Sequence, residues 1–314
     1  MSKKYLAFTL IELLVVIAII GILSGLIVVS MSGVTSKANI AKAQVFSNSL
    51  RNSLMLNLIS EWKFDELNTA VDGTTIQDSW GSVNNGTLDI NTLVADTSDK
   101  LKSGANCVSG KCLSFDGVDD YVYVSGSDSA SSNLAITGEI SLSSWVKFGV
   151  AGTDVAIAGR GACRSSNGNY GYGFSRIGSN NLIRFDMYST TTRDYLDSVS
   201  VFNDTNWHFI VVTWNGTTGT NGKKIYVDGK LDNQGTSGIS SMGQPVYYFI
   251  IGKSSASSSY YFNGSIDDVR VFNAVVPSFQ IKEQYYAGLN QLLINGGIKK
   301  EEYLSRVKEL VAQK

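Results

Sequence analysis

The sequence predicts a mainly β body, an antiparallel sandwich or jelly roll, carried on a long N-terminal α-helix and followed by a short helical tail. Three observations predict it. Residues 13 to 36 hold no ionisable side chain, with Lys3, Lys4 and Glu12 before them and Lys37 after. From about residue 60, short runs alternate apolar and polar residues between clusters of Gly, Asn, Asp and Ser, the pattern of half-buried strands joined by tight turns. Beyond Val275 the apolar spacing becomes helical. Composition excludes other classes. With one His and three Cys in 314 residues, a four-ligand zinc site would need every one of them in one place, and four-cysteine iron–sulfur ligation is out of reach. Lys and Arg number 26 against 27 Asp and Glu, so the cationic field that nucleic acid requires is missing and no nucleic-acid partner is expected.

The first element is the uncharged stretch. At about 1.5 Å per residue its 24 residues reach roughly 36 Å as a helix, enough to cross a hydrocarbon core. A secretory signal peptide is the rival, but the apolar run is longer than an ordinary signal core and no A-x-A-like site closes it. The chain instead continues with Ala38, Ala41, Val45, Leu50, Leu54 and Leu58 near helical spacing, an amphipathic extension through residue 59. Glu12 at the head of the apolar run needs a partner, because an ionisable group in lipid is costly unless paired.

The residues KKYLAFTLIELLVVIAIIGIL resemble the class III leader and helix of type IV pilins and type II secretion pseudopilins. The resemblance implies that a prepilin peptidase cuts between Ala7 and Phe8, although the residue before the cut is usually Gly. Phe8 then becomes an N-methylated terminus and Glu12 its fifth residue. Glu12 can neutralise the terminal amine of a neighbouring subunit and so set axial register in a filament. The implied partners are the peptidase, the membrane, and other pilin subunits through this helix.

The strand candidates follow in order: YVYV at 121 to 124, ISLSSWVKF at 140 to 148, HFIVVTW at 208 to 214, KIYVDGKL at 224 to 231, VYYFIIG at 246 to 252 and SIDDVRVF at 265 to 272. Asp228-Gly229 marks a type I′ hairpin turn, whose two central residues both need positive φ. The stretches EWKFDE, DSWGSVNNGTL, LSFDGVDDYVYV, WHFIVVTWNG, IYVDGK and FNGSIDDVRVFN, in that order, are similar to the laminin G-like branch of the concanavalin A-like lectin/glucanase superfamily. The resemblance spans roughly residues 60 to 287 and implies two apposed antiparallel sheets, without fixing a ligand. The resulting division is a leader at 1–7, a transmembrane assembly helix at 8–36, its extension at 37–59, the laminin G-like domain at 60–287 and a helical tail at 288–314.

Candidate chemistry is sparse. Retaining glycoside hydrolases need two carboxylates about 5–5.5 Å apart, yet between residues 67 and 282 the only Glu is Glu139, and no E-x-D-x-E stretch exists. His208, within an alternating strand, reads as a packed or hydrogen-bonded residue. Cys107 and Cys112, five positions apart in a domain exported across the membrane, read as a disulfide. Cys163 has no evident partner. The loop around it carries Arg160, Arg164, Asn167, Tyr170 and Tyr172, which suit sugar or protein contact as readily as a Gly-rich turn. Asp116, Asp119, Asp120, Asp267 and Asp268 lie in two motifs that can end strands as Asx turns or hold Ca²⁺. The superfamily resemblance implies a structural calcium on Asp267, with Asp116 completing or supporting the shell. In the tail, Leu304, Val307 and Val311 share a face expected to pack, with Arg306 in water.

The expectation is therefore a non-catalytic subunit, a minor type IV pilin-like protein. It starts as a single-pass protein of the cytoplasmic membrane and ends in a surface filament, where its domain adheres to an extracellular glycan or protein. The alternatives are a secretion pseudopilin that contacts cargo, or a surface carbohydrase.

Overall fold

The computed structural model describes residues 57–90, 100–149, 151–161, 171–244, 246–254 and 260–311. The chain divides into two units, Met1–Leu56 and Asn57–Lys314, and the fold below is that of the second. Ala7, Phe8, Glu12 and the membrane span lie outside the described residues, as do Cys163, Arg164, Asn167 and Tyr170. Among the described residues no helix is long and apolar enough to cross a membrane.

Along the chain the strands are β1 (Leu58–Trp62), β2 (Thr75–Ile76), β3 (Gly86–Asp89), β4 (Leu101–Ser103), β5 (Lys111–Asp116), β6 (Tyr121–Val124), β7 (Ile140–Phe148) and β8 (Val155–Arg160). They continue with β9 (Tyr172–Ile177), β10 (Leu182–Tyr188), β11 (Arg193–Val201), β12 (Trp207–Trp214), β13 (Gly219–Val227), β14 (Lys230–Ser237), β15 (Phe249–Ile251) and β16 (Asn263–Phe272). Helices α1 (Ser278–Ile294) and α2 (Lys300–Val311) follow. The first sheet runs β14-β13-β12-β7-β16-β5-β4, with β1 also on β16; the second runs β11-β10-β9-β8-β15-β6-β3-β2. Half of these pairings join consecutive strands, and the others, such as β7 with β12 and β16, or β15 with β6 and β8, bring distant segments together.

Alternation builds the core between the sheets. Ile140, Leu142, Val146 and Phe148 of β7 point inward beside Ile210 and Val212 of β12, and they meet Phe174, Phe185, Met187, Phe249 and Ile251 of the second sheet. Each such side chain contributes roughly 1.5–3 kcal/mol on burial. Trp145, on the opposite face of β7, stacks on Tyr285 of α1 with ring centroids 5.5 Å apart. Gly288 permits that docking, since a Cβ there would fall 2.4 Å from the Trp145 ring. The hairpin turn is as the dipeptide implies, with φ of 50° at Asp228 and 77° at Gly229.

Three expectations are corrected. Residues 58 and 59 are strand and not the end of a helix: Leu58 lies opposite Phe272, and Trp62 opposite Val269. The Leu spacing that looked helical ends in a segment captured by the free edge of β16. The boundary at 287/288 likewise falls inside α1. In α2, Leu304 is exposed while Leu310 is buried. The Arg306 guanidinium donates to the Trp207 carbonyl at 2.8 Å, turning a different face inward. Gly229 leaves room for it, because a Cβ there would stand 3.0 Å from Leu310.

Candidate functional site

One edge of β16 is shared by two strands. Its Asn263–Ile266 half pairs with β5 and its Val269–Phe272 half with β1. Asp267 and Asp268 fall in the gap, where the ladder shifts register and Asp268 takes a left-handed φ of 53°. Cys107 and Cys112 form a disulfide, and the loop it closes lies over this gap. The N–H groups of Val108 and Ser109 donate to Asp267 Oδ2 at 3.0 and 3.1 Å. Lys111 N–H donates to Asp65 Oδ1 at 2.8 Å. Asn295, capping α1, donates to the Val108 carbonyl at 3.1 Å.

Asp267 is fully buried, and its Oδ1 has no hydrogen-bond partner among the described residues. Burial, and then the charge of Asp268, push its carboxyl well above the usual range, against the two N–H donors. Glu61 and Asp268 are both paired with Arg270, at 2.7 and 3.2 Å. The unpartnered Oδ1 of Asp267 is one oxygen of the kind a hard cation such as Ca²⁺ takes, while the carboxylates of Glu61 and Asp268 are held by Arg270. Asp116 does not join it. It lies opposite Asn263, four residues from Asp267, which is roughly 13 Å along the strand. Gly117 packs on Asn263 and not on Asp267.

Asp116 instead gathers with Asp119 and Asp120, their carboxylates within 4.8 Å of one another. Lys100 already supplies the cation, reaching Asp120 at 2.5 Å and Asp116 at 3.2 Å. Burial pushes the Asp120 carboxyl up to about 6 despite that contact. Asp120 also accepts from Asp116 N–H at 2.9 Å, and Asp116 from Val118 N–H at 2.8 Å, so this cluster pins a turn.

His208 is a fastener. Its Nδ1 lies 2.9 Å from Asp228 and its Nε2 3.1 Å from Asp204. Burial opposes the imidazolium, but these two carboxylates outweigh it and raise the pKa. With Val199, Val201, Leu231, Tyr285 and Arg306 it lines a cleft of about 630 Å³. The charged groups there are spoken for: Lys230 by Glu309 at 3.1 Å, Arg306 by Glu302 at 2.8 Å, and Asp232 by the Val199 N–H at 2.6 Å.

The outward face of the second sheet differs. Val122 and Val124 enter the core, so Tyr121 and Tyr123 of β6 face out. There they join Tyr248, just before β15, and Tyr261, just before β16. Ring centroids run Tyr248 to Tyr123 at 5.8 Å, Tyr123 to Tyr121 at 6.2 Å and Tyr121 to Tyr261 at 6.4 Å. Lys253 Nζ sits 4.3 Å from the Tyr121 centroid and 4.8 Å from that of Tyr261. The Tyr121 hydroxyl donates to Asp89 at 2.5 Å. Tyr248 is 40% exposed and the other three half-buried. Such a strip offers π faces with hydroxyl edges, suited to ring-shaped polar ligands.

Elsewhere on this face, Asp186 is held by Arg193 at 2.7 Å and Asp197 by Arg184 at 2.5 Å. Tyr172, expected to contact ligand, is a core residue: it is 2% exposed and its hydroxyl donates to the Leu134 carbonyl at 2.8 Å. Sequence reasoning missed the tyrosine strip. YVYV announces two outward tyrosines, but nothing local brings Tyr248, Lys253 and Tyr261 to them.

Two packed antiparallel sheets with this strand order define a lectin-like sandwich. The chain belongs to the concanavalin A-like lectin/glucanases superfamily, whose family model matches residues 116–282, more than half its length. It also carries a prokaryotic N-terminal methylation motif at residues 2–28, the class III leader of type IV pilins. No curated protein matches it. Among solved structures it is similar to domain 4 of AbnA, an extracellular arabinanase from Geobacillus stearothermophilus solved with arabinotriose. The identity is 17% and the TM-score 0.51, covering 72% of this chain and 97% of that one. It is also similar to the binding domain of Paraclostridial Mosquitocidal Protein 1, at 11% identity and TM-score 0.53 over 76% of this chain and 53% of that one. The botulinum neurotoxin serotype D binding domain matches at 16% and 0.50, again over 76% and 53%. The chain thus spans about half the length of the two toxin domains. At these identities the likeness is one of fold.

Proposed function

We propose that the chain is a non-catalytic subunit of a surface filament, a minor pilin-like protein whose sandwich adheres to glycans or proteins outside the cell. The observation that carries the reading is the outward strip of four tyrosines on the second sheet, joined to a chain that bears a pilin leader. Prepilin peptidase cuts between Ala7 and Phe8, and Glu12 then joins the helix to neighbouring subunits in the membrane and the filament. The acidic side chains Asp186 and Asp197 on the same sheet face are each committed to an arginine, unlike the differently tuned carboxyl pair of a glycosidase. Asp267 holds a structural calcium that steadies the gap in β16 and takes no part in ligand chemistry.

The test uses the full-length chain in detergent micelles, applied to glycan and matrix-protein arrays and incubated with the same glycans. Retention on at least one glycan or protein without release of reducing ends is expected. Release of reducing ends, or retention on nothing across broad arrays, would contradict the reading.

A further inference from the structure

We infer that the tyrosine strip binds saccharides carrying an anionic substituent, with Lys253 as the residue that selects the charge. This rests on the adhesive reading above and gives it a site and a ligand class. The strip is formed by side chains from three separate segments, and each ring lies within 6.4 Å of the next. Sugar rings present flat C–H faces to aromatic planes, so a row of outward-facing, half-buried to exposed rings suits successive sugar units. A row of that kind would by itself be indifferent to charge.

Lys253 changes this. Its ammonium stands over both Tyr121 and Tyr261, and no carboxylate pairs with it among the described residues. Other basic groups on this sheet face, Arg184 and Arg193, are matched to Asp197 and Asp186. Asp89, beside the strip, receives the Tyr121 hydroxyl. Among the described residues Lys253 therefore presents a positive charge with no carboxylate partner beside stacking surfaces, and a carboxylate or sulfate on a stacked sugar would complete it. Tyr121, raised in pKa first by burial and then by Asp89, stays neutral and keeps its proton for Asp89.

The experiment measures binding of the full-length chain in detergent to immobilised oligogalacturonate, to heparin oligosaccharides, and to maltoheptaose as a neutral control. Binding to one or both anionic probes is expected, at least about tenfold tighter than to maltoheptaose, and the pair separates carboxylate from sulfate recognition. Lys253→Gln should weaken anionic binding about tenfold, with Lys253→Arg restoring most of it, and Tyr248→Ala should weaken it with unchanged melting temperature. Anionic binding unmoved by Lys253→Gln, equal affinity for the neutral probe, or no binding to either anionic probe would overturn the inference. Array binding that survives both Lys253→Gln and Tyr248→Ala would overturn this site and leave adhesion standing, whereas loss of all array binding by the wild type would overturn the adhesive reading itself.

Discussion

Asp267 and Lys253 present opposite problems in electrostatics. Asp267 is buried with one oxygen donated to by two backbone N–H groups and the other, among the described residues, by none, whereas the ammonium of the half-buried Lys253 stands over the rings of Tyr121 and Tyr261. A cation that binds only the folded state stabilises it by about 2.7 kcal/mol at a hundredfold excess over Kd. In a domain of this size that amounts to a shift of roughly 5–10 °C. Metal-stripped full-length protein should therefore melt several degrees higher in millimolar calcium. Asp267→Asn should lose the shift, and in EDTA it should be at least as stable as wild type, because the buried charge is gone. A midpoint indifferent to calcium in stripped wild-type protein would leave Asp267 as an anchor for the disulfide loop alone.

At the scale of elements, docking of α1 onto the first sheet depends on a small residue meeting a large one. Gly288→Ala should place a methyl group against the Trp145 ring, where the nearest ring carbon is 2.4 Å away, and overpacking of this kind costs about 1–3 kcal/mol. Denaturant unfolding should show a lowered midpoint with the slope unchanged; an unaltered midpoint would mean the helix shifts freely on the sheet. β6 and β7 could be read directly from the sequence, because period-2 alternation records which face meets the core. The run at 246–252 was only half legible: Phe249–Ile251 forms strand while Tyr248 lies before it, since the length of β15 is set by its neighbours β6 and β8. Leu58 and Leu304 misled for a related reason. Spacing shows that a face is apolar, but the free edge of β16 and the Trp207 carbonyl decide what each segment meets. The tyrosine strip was hidden likewise, since Lys253 and Tyr121 are joined by the fold and not by the sequence.

For the whole molecule, the chain combines a methylation-motif leader at its N-terminus with a lectin-like sandwich, and the proposed account makes the first the means of displaying the second. On the proposed reading, filament assembly requires a free, processed amine at Phe8 that can meet Glu12 of a neighbouring subunit, and adhesion requires the tyrosine strip to reach the outside of the cell. Both demands converge on the state of the chain in the filament. The most direct measurement is mass spectrometry of the N-terminal peptide of this chain in filaments sheared from the cell surface. The account predicts that the chain is present and that its first residue is Phe8, methylated on the amine. A chain that is absent from the filaments, or one that retains Met1, would contradict it.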